Sequence, residues 1–264
     1  MNMAVCIKQV PATEMKIKPA DNRKEIDWVG LSYVVNPYDE FAVEEALQIK
    51  ERIGCGSVTA ITVGPDKAAE ALRVCLAVGV DQAIHVKDPP LAGGDNHTTS
   101  LVLTAVLKMQ PYDIIFFGKH AIDDAEGAVG IRVADRLGLP HVSVVVKLEV
   151  YPEEKRAVAH RQIEGGVEVV EVSLPAVFTC QKGLNEPRYA SLPGIMRAKQ
   201  KPLTVVTLAK LGLAPNQVGE VGAYAVVDAI APAPIRKVGQ ILQGDPTQMV
   251  LDMVGLLHDD AHIL

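Results

Sequence analysis

The stretch DIIFFGKHAIDDAEGAVGIRVADRLG, residues 113–138, changes its chemistry twice along its length. It opens on the apolar run DIIFFG (113–118) and passes through a loop carrying Asp123, Asp124 and Glu126. It then enters a segment read as a helix from about Glu126 to Leu137. A run with no polar alternation suits a strand buried on both faces. Strand, loop and helix in that order make one half of a parallel βαβ unit.

The same order recurs on the N-terminal side. AVCIKQV (4–10) reads as a buried strand, and a polar excursion follows it. NPYDEFAVEEALQIKERIG (36–54) reads as a helix: Asn36 suits the N-cap, Pro37 the first helical position, and Asp39 the place a capping box gives an acid. Ala42, Ala46, Ile49 and Ile53 recur at helical spacing, and Gly54 stops the run. SVTAITVG (57–64) is a strand, 66–78 a helix, 82–86 a strand and 96–109 a helix. After Pro140 the rhythm changes. HVSVVVKLEV, RAVAHRQIEGG and GVEVVEVSL look like a β-meander, and LPAVFTC (174–180) returns to the core. From Pro202 the chain is rich in Pro, Gly and Ala and reads as an extended arm, with a helical pattern resuming only at 246–258. Such an arm needs a surface to lie on, which points to a partner subunit. The expected fold is a Rossmann-like α/β parallel sheet flanked by helices, of the adenine nucleotide alpha hydrolase-like kind, with a small β-meander. Residues 1–201 form the domain and 202–264 the arm.

Bulk properties narrow the function. The chain has 264 residues, is 48% hydrophobic but only 4% aromatic, and carries a net charge of -6. A core of Val, Ala, Leu and Ile follows, and a basic field for nucleic acid is absent. Cys6, Cys55, Cys75 and Cys180 form no CxxC and read as free thiols in a reducing compartment. No apolar run is long enough to span a membrane, and MNMAVCIKQV runs straight into a strand without a signal peptide, so the expected location is cytoplasmic.

Open parallel sheets bind ligands beyond the carboxyl ends of their strands. There the loop 118–130 brings Gly127, Ala128, Val129 and Gly130 to a helix N-terminus. Their small side chains and free N–H groups suit a phosphate, although an ordinary strand-to-helix turn would read the same way. Neither GxGxxG nor GxxxxGK[ST] occurs, and no nucleophile motif or acid/base pair is present, so no catalytic residue is expected. His120 with Asp123 and Asp124 is the one cluster with metal-ligand chemistry, and these residues read better as groups that cap and hydrogen-bond the loop. No metal is expected.

Five stretches in this order carry a resemblance: KQVP (8–11), VVNPYDEFAVEEAL (34–47), VGP (63–65), GKHAIDD (118–124) and LNEPRYASLPGIMRAKQK (184–201). Together the sequence resembles the electron-transfer flavoprotein beta subunit family, across nearly the whole chain to about Leu203. The resemblance implies a heterodimer with an alpha subunit that holds most of an FAD. It implies a second nucleotide in this chain's own sheet crevice, structural AMP in one branch and a second, NADH-oxidising FAD in the bifurcating branch. It also implies a loop that docks acyl-CoA dehydrogenase-type donors, and a quinone-linked acceptor.

Carried onto this sequence, the nucleotide site comprises Cys6, Asn36, Val63 and Asp124, with Gly127, Ala128 and Val129 holding the phosphate. Leu184 becomes the docking anchor, with Arg188, Arg197 and Lys199 steering acidic partners, and Thr13 falls near the flavin of the alpha subunit. One departure stands out. The run Asp123-Asp124-Ala125-Glu126-Gly127-Ala128-Val129-Gly130 lacks the Gln found in both branches, and Asp124 replaces a Gly of the bifurcating pattern. The reading therefore favours AMP over a second FAD. A stand-alone adenine-nucleotide enzyme is the alternative of another class, and the missing acid/base set counts against it.

Overall fold

The computed structural model of the chain describes residues 1–22, 24–232, 234 and 239–264. Its frame is one nine-stranded sheet in the order β11-β5-β4-β1-β6-β10-β7-β8-β9. In chain order these strands are β1 (Asn2–Cys6), β4 (Ser57–Val63), β5 (Gln82–Val86), β6 (Ile114–Gly118), β7 (His141–Tyr151), β8 (Arg156–Ile163), β9 (Gly166–Ser173), β10 (Ala176–Cys180) and β11 (Leu203–Val206). A separate antiparallel pair joins β2 (Gln9–Pro11) to β3 (Tyr33–Val35). From β11 to β7 every pairing is parallel, and β8 and β9 continue the same sheet antiparallel. The expected β-meander is thus an extension of the main sheet and not a separate unit.

Period-two alternation sorts the core into two layers. Met3, Val5, Ile114 and Phe116 face one side, where α1 (Pro37–Ile53), α2 (Ala69–Val78) and α5 (Leu192–Ala198) lie. Ala4, Cys6, Ile115 and Phe117 face the other, against α3 (Asn96–Leu107) and α4 (Val129–Leu137). Side chains buried on both faces explain why these strands carry apolar runs without alternation. The chain winds from β1 through β4 to β5 on one side of the first strand, then crosses to β6 on the other. The order therefore reverses between β1 and β6, which opens a crevice at their carboxyl ends.

Local chemistry sets several boundaries differently from the sequence pattern. The strand expected over 4–10 ends at Cys6, because the Lys8 N–H turns out of the sheet to a carboxylate of Asp39 at 2.7 Å. The helix expected from Glu126 begins at Val129, since Ala125 and Gly127 sit at φ 55° and 62°, where a right-handed helix cannot start. The arm expected from Pro202 first supplies β11 to the sheet edge. Leu208 and Val218 then enter the second core layer, through the short helices α6 (Leu208–Leu211) and α7 (Gly219–Gly222). Beyond them, α8 (Pro246–Gly255) buries none of its residues and exposes Val250, Leu251, Met253 and Val254. Residues 233 and 235–238 of the expected arm lie outside the described residues. Among the described residues no helix is long and apolar enough to cross a membrane.

Gly118, the last residue of β6, has no room for a side chain. A Cβ there would collide with Asp39 Oδ1 and lie 2.8 Å from the Tyr38 backbone carbon. Gly118→Ala is expected to lower unfolding stability by about 1–3 kcal/mol, read as a drop in the urea midpoint at unchanged slope.

A nucleotide-sized crevice at the sheet switch point

A cavity of about 680 Å³ occupies the crevice between β1 and β6. All seven residues assigned to the nucleotide site lie on its wall. Cys6 and Val63 come from the ends of β1 and β4, Asn36 from the start of α1, and Asp124, Gly127, Ala128 and Val129 from the loop into α4. Thr13 is exposed on the connection from β2 to β3 and does not line it.

Asn36 stands at the N-cap of α1, but its side chain does not cap the helix. Its amide donates to the His120 carbonyl at 2.9 Å, and its oxygen accepts from the Ile122 N–H at 3.1 Å. The choice between capping and site-building is therefore made in favour of the site loop. Asp39 does not close a capping box either. Its carboxylate is buried and accepts the Lys8 N–H at 2.7 Å and the Gly118 N–H at 2.9 Å. Burial pushes this carboxyl up to about 7, against the pull of those two N–H groups and the Lys8 charge. Burial, with the neighbouring Asp39 charge, also raises the Cys6 thiol, so Cys6 is a neutral wall and not a nucleophile.

The three loop acids are neutralised or turned aside. The Lys8 ammonium contacts Asp123 at 2.8 Å and Asp124 at 2.9 Å. Partial desolvation of this half-exposed side chain disfavours the charge, yet the two carboxylates outweigh this and raise its pKa. Glu126 also lines the cavity, and its carboxylate bonds to the Asn96 side chain at the start of α3. The first turn of α4 has no side-chain cap, which leaves backbone N–H groups free at the positive end of the helix dipole. Small residues on the turn leave its backbone open to a phosphate: Gly127 adopts a left-handed φ, and a Cβ on Gly130 would press on Phe117 and Thr179. The residues present therefore fit a nucleotide phosphate, held by backbone rather than by the absent Gln. Among the described residues no group of three His, Cys, Asp or Glu side chains could hold a metal.

With this geometry established, comparison with known proteins becomes informative. The family model described as the electron transfer flavoprotein domain matches residues 27–211. The chain belongs to the electron-transfer flavoprotein beta subunit family. It is 39% identical to the electron transfer flavoprotein subunit beta of Bacillus subtilis, over all of both chains. It is 40% identical to the protein of that name from Methylophilus methylotrophus, over 83% of this chain and 84% of the relative. It is 36% identical over the full length of both to the caffeyl-CoA reductase-Etf complex subunit CarD of Acetobacterium woodii.

The residues expected to dock a donor, in the loop 183–201, are not all placed at the surface. Leu184 is half-buried and packs against the first core layer. Arg188 is clamped inward: its Nε and Nη2 donate to Glu44 at 2.8 and 2.9 Å, and Nη2 also reaches Glu51 at 3.0 Å. These carboxylates raise the Arg188 pKa and hold its charge inside the subunit. Asn185 donates to Glu45 and to the Phe41 carbonyl, both at 3.0 Å. Arg197 and Lys199 are exposed. The most exposed apolar side chains of the loop are instead Tyr189 (98%), Leu192 (73%) and Met196 (65%).

Sequence reasoning missed the cavity residues Lys8, Asp39, Lys119 and Arg132, and it missed 93–97 and 224–227. The loop after β5 leads to the same sheet edge, so topology gave a signal for 93–97. Nothing in the sequence pattern brings 224–227 there.

Asp39 generates a signed pH prediction. Its folded pKa lies above its unfolded value, so its contribution to stability is complete below about pH 4 and drains away as pH rises to about 7. Wild type should lose stability between pH 5 and pH 8 by up to a few kcal/mol more than Asp39→Asn, measured as urea midpoints at each pH.

Proposed function

We propose that this chain is the beta half of an electron-transfer flavoprotein that carries electrons from an acyl-CoA dehydrogenase-type donor to a quinone-linked acceptor. In this reading it binds structural AMP in the crevice between β1 and β6. The observation that carries the nucleotide reading is the convergence of Cys6, Asn36, Val63, Asp124 and the uncapped turn at 127–129 on one cavity. The FAD, held mainly by the alpha subunit, supplies the electron chemistry, and no residue of this chain makes or breaks a bond. The turn at 127–129 holds the phosphate, Cys6 and Val63 give apolar contact, and the Asn36 side chain fixes the loop that carries the turn. Residues 183–201 dock the donor and the C-terminal arm lies on the alpha subunit. The uncovered apolar residues of α8 support that last assignment.

A second reading, the bifurcating form with an NADH-oxidising FAD in this crevice, is favoured by the full-length similarity to the caffeyl-CoA reductase-Etf subunit and by a cavity roomy for a mononucleotide. Acid extraction of the co-purified heterodimer followed by chromatography separates the two. One FAD and one AMP support the carrier, and two FAD without AMP support the bifurcating form. No nucleotide beyond one FAD would remove both.

In this reading the anchor is the exposed Leu192, flanked by Met196 one helical turn on and by Tyr189, in place of the half-buried Leu184. A few well-placed apolar side chains suit a weak, fast-exchanging contact. Leu192→Ala is expected to slow reduction by the donor about tenfold or more at unchanged stability and nucleotide content. Leu184→Ala is expected to cost about 1–3 kcal/mol of stability instead. Stopped-flow reduction together with urea melts distinguishes the two residues.

A further inference from the structure

Asp95 is the N-cap of α3, and its two carboxylate oxygens do different things. Oδ1 accepts the Thr98 N–H at 2.9 Å, the ordinary capping bond. Oδ2 accepts two N–H groups from far along the chain, Tyr224 at 2.9 Å and Ala225 at 3.1 Å. Burial alone would raise this carboxyl, but the N–H groups of Thr98, Tyr224 and Ala225 outweigh it and bring it down to about 2. The Tyr224 ring lies 4.0 Å from the His97 ring, centre to centre, and Arg136 donates to His97 Nδ1 at 3.1 Å. At the base of this segment the Glu220 N–H donates to the Ala92 carbonyl at 2.9 Å.

Residues 224–227 line the nucleotide cavity together with the first turn of α4 and the ends of β1 and β6. Their side chains gain little from packing, since Tyr224, Val226 and Val227 are 82%, 63% and 52% exposed. Apart from the Tyr224 ring against His97, a segment so poorly buried has little apolar contact to hold it in place. Its backbone is instead fixed by one anionic oxygen that receives two charge-assisted hydrogen bonds.

We infer that residues 224–227 form a strap across the nucleotide site and that Asp95, through Oδ2, is the positioning residue that latches it. The inference rests on the nucleotide reading of this cavity and adds an element to it. Because the strap is part of the wall, a bound nucleotide leaves faster when the latch is broken. The contacts at the strand ends, which recognise the ligand, stay intact. Retention and recognition are thereby assigned to different residues of one site.

Asp95→Asn tests this with a change of one atom: the amide keeps an oxygen for the cap, and its NH2 group meets two N–H donors. Asp95→Ser is the second variant, with a hydroxyl for the cap and no second acceptor. Each is prepared as the co-expressed heterodimer, loaded with labelled AMP and chased with unlabelled AMP. Hydrogen exchange is followed at the Tyr224 and Ala225 amides. In both variants the chase is expected to run at least tenfold faster, with both amides losing protection and FAD content and heterodimer sedimentation unchanged. A chase rate within twofold of wild type while the two amides lose protection would overturn the strap. Unprotected amides in the wild type would overturn the latch itself. If the wild type takes up neither AMP nor added FAD, the nucleotide reading fails, and the strap has no ligand to retain. That outcome is distinct from the first two, in which binding is intact.

Discussion

The buried carboxylate of Asp39 receives backbone N–H groups from Lys8, two residues past the end of β1, and from Gly118, the last residue of β6. These two strands flank the reversal in strand order, so the crevice exists because their chain ends part there. Parting leaves N–H groups that no neighbouring strand can accept, and a buried unsatisfied donor costs about 1–3 kcal/mol. One carboxylate from the first turn of α1 satisfies both. The helix is thereby seated against the sheet at the place where the crevice opens. The cost is a carboxyl group without water, which accounts for its raised pKa. Gly118 follows from the same constraint, because a side chain there would occupy the space that the carboxylate needs.

Around this pin the charges of the cavity are arranged so that its acids are spoken for. Asp123 and Asp124 hold Lys8, Glu126 bonds to Asn96, and Asp95 is saturated by N–H groups. The first turn of α4 has no capping side chain. An acidic loop is thus compatible with an anion site, because net charge counts for less than which oxygens still lack partners. Composition alone would have placed three negative charges beside the phosphate. The folded loop directs them to a lysine and to a neighbouring helix.

That difference marks how far the sequence could be read. The strand–helix alternation, the near-uniform burial of the strands and the location of the crevice were legible, because each depends on local patterns and on chain order. Cys6, Asn36, Val63 and the turn at 127–129 were placed together through family resemblance, and the fold brings them to one cavity. What was not legible depends on partners distant in sequence. Asn36 and Asp39 have the local signature of helix caps, and only the approach of Lys8, Gly118 and His120 diverts their side chains. Arg188 has the look of a surface cation until Glu44 and Glu51 arrive beside it. Leu184 and Leu192 are equivalent as letters, and their exposure is decided by what lies beneath each loop residue.

The clamp on Arg188 also says something about how two tasks share one element. Glu44, Glu45 and Glu51 lie on α1, whose first turn carries Asp39 into the crevice. Three carboxylates of that helix hold the loop 183–201, and one at its N-terminal end pins the crevice. A regular helix of this length spans about 25 Å and bends little under small loads. Loop and crevice are therefore referred to the same rigid body, although no side chain touches both. Burying Glu44 against Arg188 would be a poor route to stability alone, since desolvation of a buried pair offsets much of its attraction. Its benefit is orientation: seven of the loop's hydrogen bonds end on α1, and the exposed residues Tyr189, Leu192 and Met196 are left to point outward from a fixed base. In the proposed docking role, such pre-organisation favours a fast-exchanging contact, because little conformational entropy remains to be lost when the donor arrives.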